Sequence, residues 1–125
     1  MRKILFRGKR TDNDAWVEGF YQEYPTGYVH IQSEYNDWFP VYPETVGQFT
    51  GMLDINGNKI FEGDIMKTAI GGITQHTGVV KFSDGSFGLR CEDNNGYFLC
   101  FVAGSYTIIG NIHDNPELMI ATVKE

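Results

Sequence analysis

Cysteine is nearly absent from this 125-residue chain: Cys91 and Cys100 are the whole supply. Neither belongs to a Cys-x-x-Cys pair, and no His-x-x-x-His spacing accompanies them, so the usual tetrahedral metal patterns are missing. Long apolar runs are also missing. No window approaches the length of a membrane span, and no apolar run of signal-peptide length follows the basic N-terminus. With so few thiols, the expected home is a reducing cytoplasm and the expected chain is free of membrane. Basic residues are scarce after the start. Five of the ten (Arg2, Lys3, Arg7, Lys9 and Arg10) fall in the first ten positions, and the remaining 115 residues hold five basic side chains against 16 acidic ones, a balance of −11. Such a body repels phosphate at long range, so duplex-tracking nucleic-acid binding is disfavoured unless the N-terminal strand forms a local patch.

What the chain does have is glycine and aromatics: 15 Gly, with 9 Phe, 7 Tyr and 2 Trp. That mixture favours short strands joined by tight turns. A hydrophobic content of 42% and a charged content of 21% are globular values, and a chain of this length buries roughly two thirds of its unfolded surface. The expected class is mostly β.

An internal echo refines the architecture. Phe6-Arg7-Gly8 followed by Trp16-Val17-Glu18-Gly19-Phe20 is answered, 43 to 44 positions later, by Phe49-Thr50-Gly51 and Ile60-Phe61-Glu62-Gly63-Asp64. The echo predicts one β unit used twice. The lobes are expected at residues 1–44 and 45–125, barrel-like, in tandem and packed as one compact unit, with Pro43-Glu44-Thr45 as the joint. Gly8, Glu18, Gly19, Gly51, Asn56, Gly57, Glu62, Gly63 and Asp64 are then structural residues.

Local signals fill in the strands. Lys3 to Gly8 alternates, Thr11 to Asp14 is turn chemistry, and Ala15 to Tyr21 returns as a second strand. After the Tyr24-Pro25-Thr26-Gly27 turn, Tyr28, His30 and Gln32 oppose Val29 and Ile31. Trp38 to Tyr42 contains Pro40, which removes a ladder donor and points to an edge or irregular segment. Asn56-Gly57 predicts a hairpin pairing Gly51–Leu53 with Lys59–Phe61. Gly63 permits a sharp turn, Asp64 can accept from nearby backbone donors, and Ile60, Phe61 and Ile65 supply core bulk. Ser83-Asp84-Gly85 predicts a second hairpin, and Gly71-Gly72 and Asn94-Asn95-Gly96 predict a flexible tip and a turn. Asn115-Pro116 predicts a short helix through Met119, with Asn as cap.

The run Gly47-Gln48-Phe49-Thr50-Gly51-x-x-Asp54-x-Asn56-Gly57-x-x-Ile60-Phe61-Glu62-Gly63-Asp64-Ile65 closely resembles the signature of the YopX family of phage and prophage proteins. So do Phe6-Arg7-Gly8-Lys9 with Trp16-Val17-Glu18-Gly19, Val79-Val80-Lys81-Phe82, and Ile109-Gly110-Asn111-Ile112-His113-Asp114-Asn115-Pro116-Glu117-Leu118. Together they cover nearly the whole chain in order. The resemblance implies a mostly β fold with an SH3-like barrel in the C-terminal part, and a gene carried by a bacteriophage or integrated element. It implies no particular activity, and so no catalytic residues to carry over.

Chemistry-bearing residues are sparse. Cys91, Cys100, His30, His76 and His113 are read as packed or exposed singles and not as a metal set. Asp54 to Asn58 is similar to a calcium loop, but its glycine comes two positions early and Ile65 stands where the bidentate Glu belongs. No Gly-x-Ser-x-Gly elbow supports a nucleophile. Glu18 and Glu62 are equivalent in the echo, which favours equivalent turns over an acid/base pair. Gly85-Ser86-Phe87-Gly88 matches the KH clamp only as a string. No catalytic residue, cofactor or metal is therefore expected. Two partner classes stay open. One is a protein partner or a second copy, met through aromatic-rich sheet faces. The other is single-stranded nucleic acid, met by Arg2, Lys3, Arg7, Lys9 and Arg10 beside exposed aromatics such as Tyr21, Tyr24, Tyr28 or Trp38.

Overall fold

A computed structural model of the chain describes residues 4–68, 77–83, 85–91, 97–99 and 106–119. Gly71-Gly72 and Asn94 to Gly96 lie outside them. The chain is mostly β and divides into two compact units, Met1–Gly51 and Met52–Glu125. The division falls inside a strand; Pro43–Thr45 is a 3-10 turn within the first unit.

The first unit holds β1 (Phe6–Lys9), β2 (Trp16–Glu23), β3 (Val29–Gln32), β4 (Trp38–Val41) and the start of β5 (Gly47–Leu53). Their spatial order is β4-β3-β2-β1-β5, all antiparallel. β2 serves two partners. Its residues 16–19 pair with β1, and residues 20–23 pair with β3, so the strand turns a corner at Gly19 and Phe20. The sheet then closes on itself: Thr11 N–H donates to the Pro40 carbonyl at 3.0 Å and Tyr42 N–H to the Lys9 carbonyl at 2.9 Å, on either side of an Arg10–Val41 bridge. Backbone N–H and C=O of one strand residue point the same way, so the donor that Pro40 lacks faces away from β3, where the ladder can spare it. The Thr45 hydroxyl accepts from Lys9 N–H at 2.9 Å and donates to the Tyr42 carbonyl at 2.6 Å, tying the 3-10 turn to the end of β1. Inside lie Val29, Ile31 and Val41, with Phe6, Val17 and Val46 against them.

The second unit takes the chain through the end of β5 into β6 (Lys59–Phe61), β7 (Asp64–Thr68), β8 (Thr77–Ser83), β9 (Ser86–Cys91), β10 (Tyr97–Leu99) and β11 (Tyr106–Asn111). A five-stranded antiparallel sheet runs β10-β9-β8-β7-β11. The Asn56-Gly57 turn folds as its sequence predicts, with Gly57 at φ 85° and Asp54 N–H donating to the Asn58 carbonyl at 2.8 Å. The second predicted hairpin has Ser83 opposite Ser86. Ile65 and Met66 on β7 and Val79 and Val80 on β8 are buried on both faces of the sheet. Met66 and Val80 join Ile60, Leu89 and Tyr106 on one side, while Ile65 and Val79 pack with Met119 on the other. Each fully buried Ile or Met there contributes about 1.5–3 kcal/mol of transfer free energy.

The terminal helix is a single described turn over residues 117–119. Asn115 does not cap it with its side chain as expected. Its backbone carbonyl accepts from Leu118 N–H at 3.1 Å, and its Oδ1 turns back to accept from Asn111 N–H at 3.2 Å. The end of β11 outcompetes the helix for that oxygen.

The echo does not extend to equivalent surroundings. Both copies form strand-turn-strand units, but Gly8 and Gly19 sit within β1 and β2, whereas Gly63 forms the turn after β6. Gly8 and Gly19 are glycine because neighbours crowd them: an added Cβ would lie 2.9 Å from a Val41 methyl and 2.7 Å from the Gln32 carbonyl carbon, respectively. Gly51 and Gly63 are glycine because their φ angles are 89° and 93°, and a Cβ at Gly51 would meet open space. The same letter answers two different physical demands, so the duplicated-unit expectation is corrected to a shared hairpin outline.

Candidate functional site

Strand alternation sorts the first unit's side chains into two sets. Val29, Ile31 and Val41, at odd positions of β3 and β4, form the core. The even-numbered ones face outward in register: Phe20 opposite Gln32, Gln22 opposite His30, Pro40 opposite His30, and Trp38 opposite Gln32. Tyr24 and Tyr28 continue this face at the β2–β3 turn, where Tyr24 N–H donates to the Tyr28 carbonyl at 2.8 Å. Phe20 is 65% exposed, Tyr24 38%, Tyr28 67% and Trp38 45%.

Half-buried His30 is the middle of this face. The Tyr24 ring stands 5.1 Å from its imidazole at 82°, and the Trp38 indole 6.5 Å away at 77°. Such edge-to-face pairs hold rings at fixed angles. Nδ1 of His30 is buried without a hydrogen-bond partner, a feature uncommon enough in folded proteins to mark the spot.

Of the expected nucleic-acid contacts, Arg2 and Lys3 lie outside the described residues. Arg7 and Lys9 are half-buried on β1, with the Arg7 guanidinium 4.9 Å over the Trp16 ring. Arg10 is already engaged: Nη2 and Nε donate to the Asp12 carboxylate at 2.6 and 3.0 Å, and the guanidinium lies 4.2 Å over Phe39. The hydrogen bond from Arg10, with its charge, holds the Asp12 carboxyl below the usual range. Tyr21, an expected stacking residue, is on the other face of β2. It packs on Phe6 with ring centres 5.3 Å apart, and its hydroxyl donates to Glu23 at 2.8 Å. Residues 11–51 contain seven acidic side chains and no lysine or arginine.

The acids of the second unit serve the backbone. Buried Asp54 accepts from Asn56 and Asn58 N–H, both at 2.9 Å, and from Ile108 N–H on β11 at 3.1 Å. Burial works against its ionisation, but the donors from Asn58, Ile108 and Asn56 outweigh burial and hold its carboxyl below the usual range. Asp64, also buried, accepts from Phe61 N–H at 2.8 Å and closes the Glu62-Gly63 turn. Glu18 is exposed on β2 and Glu62 is in that turn, one in each unit. His113 is exposed beside β11, and Gly85 to Gly88 lead into β9. His76 and Cys100 fall outside the described residues; among those described, no group of three or more His, Cys, Asp or Glu gathers.

Sequence reasoning named Tyr24, Tyr28 and Trp38 but missed Phe20 and the place of His30 between the rings. The signal was present in rings at the even-numbered positions 20, 24, 28, 30 and 38. Its weight depended on knowing that odd numbers face the core.

The fold and this face define a small antiparallel β protein that presents rings on one outer sheet surface. The family model described as YopX protein matches residues 5–120, and the chain belongs to the YopX family. Among solved structures, the chain is similar to the crystal structure of protein EF1440 from Enterococcus faecalis. The two share 24% identity and a TM-score of 0.55, over 95% of this chain and 99% of that one. No curated protein matches the sequence. Among the described residues no helix is long and apolar enough to cross a membrane.

Proposed function

We propose that this chain is a non-catalytic docking module, encoded by a phage or integrated element and working in the host cytoplasm. Its outer first-unit face would hold a protein partner. The observation that carries this reading is the cluster of Phe20, Tyr24, Tyr28 and Trp38, all exposed on one sheet surface. Contiguous exposed rings mark interaction surfaces, and Tyr and Trp dominate binding hot spots. Family membership supports the phage origin and an SH3-like barrel for the second unit. The test is affinity capture from the expressing host with wild type and with Trp38→Ala plus Tyr28→Ser. A partner lost from the double variant, which keeps its melting temperature, supports the face. Capture unchanged by the double variant refutes it. Sedimentation analysis distinguishes a second copy as the partner.

A second reading has one observation in its favour: Arg7 stacked on Trp16 could flank a nucleotide base. In that case filter binding of a single strand weakens steeply with salt and falls with Arg7→Ala plus Lys9→Ala. The pairing of Arg10 with Asp12 counts against it.

A further inference from the structure

Resting on the docking reading, we infer that the Tyr24–His30–Trp38 face receives arginine side chains of a basic protein segment. Three observations converge on a cation.

The first is charge. Residues 11–51 hold seven acids and no lysine or arginine; Arg7 and Arg10, from the β1 side, lie over Trp16 and Phe39. Glu34 and Asp37 are exposed at the β3–β4 turn, while Glu23 is engaged by the Tyr21 hydroxyl on the other face of β2. An acidic rim attracts a basic segment and repels phosphate, which sets this occupant apart from a nucleic acid.

The second is ring geometry. Tyr24, at the β2–β3 turn, and Trp38, on β4, stand nearly perpendicular to His30. Three rings held at such angles offer both faces and edges within one side chain's reach. Indole and phenol faces are the preferred seats for a guanidinium.

The third is precedent within the same unit. Arg7 covers Trp16 at 4.9 Å and Arg10 covers Phe39 at 4.2 Å. Both described arginines of this unit lie over aromatic rings. Phe39 and Trp38 are neighbours on opposite faces of β4, so one strand carries a ring already covered by arginine and, on its other side, an exposed ring.

The experiment titrates the 15N-labelled full chain with a ten-residue peptide of alternating arginine and glycine. Matched peptides carry lysine, citrulline or glutamate in place of arginine, and a ten-nucleotide oligothymidylate serves as the nucleic-acid arm. The expected result is binding of the arginine peptide that shifts amides of residues 22–24, 30–32 and 38–39 and weakens with added salt. Lysine should bind more weakly, and the other three should not bind at this face. Trp38→Ala and Tyr24→Ala should each weaken the arginine peptide about tenfold, while Trp16→Phe leaves it within about twofold, in keeping with the weight of single aromatic anchors. Citrulline binding as tightly as arginine overturns the cation while leaving the docking face intact, because citrulline keeps the shape and loses the charge. Oligothymidylate at this face, shifts confined to other residues, or no arginine-peptide binding at millimolar concentration also overturns it; capture of a partner in the preceding test is read separately.

Discussion

Gly19 and Gln32 meet backbone to backbone: the space a Gly19 side chain would need is occupied by the carbonyl of Gln32. This contact lets β2 leave β1 and join β3 within one residue, and it sets the outer face beginning at Phe20. Gly19→Ala should therefore cost about 3 kcal/mol or more, in the range of severe single substitutions. Gly51→Ala, with open space but a left-handed backbone, should cost only about 1–2 kcal/mol. Urea unfolding of the two variants checks the order, and equal losses would contradict the packing argument.

Asp54 ties its own hairpin to β11, and its stabilisation depends on charge. Because its folded carboxyl titrates below the unfolded value of about 3.9, the contribution is complete above that pH. It is lost as pH falls through the lower, native value. Asp54→Asn should be destabilised at pH 7, with the gap from wild type narrowing below about pH 4. Paired denaturant curves from pH 7 to pH 2.5 test the sign; a gap that widens in acid would reverse it.

Arg10 is bound locally and contributes little to global stability. Arg10→Ala should leave the unfolding midpoint close to that of wild type, as for exposed ion pairs generally. Carbon-detected NMR should show the Asp12 carboxyl titrating at a higher pH in the variant, since the arginine hydrogen bond is the main cause of its lowering.

Asp64 accepts from Phe61 N–H and closes the turn between β6 and β7. Asp64→Ala leaves the Phe61 N–H beneath the β6–β7 turn without its acceptor and should cost about 1–3 kcal/mol. Hydrogen exchange at Phe61 is the local readout, and unchanged protection there would discount the bond.

Trp38 offers the opposite profile. As an exposed ring on a solvent face, Trp38→Ala should stay within about 1 kcal/mol of wild type in stability. A large loss on unfolding would assign the indole to the fold and not to a partner.

Turns and strands were legible because their causes are local. Asn56-Gly57 needs only its own backbone to favour a hairpin, and the fixed ring of Pro40 excludes a ladder position wherever it falls. The alternation at Val29 to Gln32 likewise announced a half-buried strand, and Asp64 its role as acceptor. The cap at Asn115 was misjudged because two N–H groups competed for one oxygen, and the winner belonged to a neighbouring strand end.

The amino-acid order by itself determined a mostly β chain of the YopX type, its tight turns, and an acidic body with a basic start. These follow from propensity, turn geometry and counting, none of which needs a distant partner. Only the tertiary structure decided that Gly8 and Gly51 answer different demands, that Tyr21 packs on Phe6 while Phe20 lies on the opposite face of β2, and that Arg10 is held by Asp12 and Phe39. Those outcomes depend on which strands pair and in what register, a choice made by contacts between residues far apart in sequence.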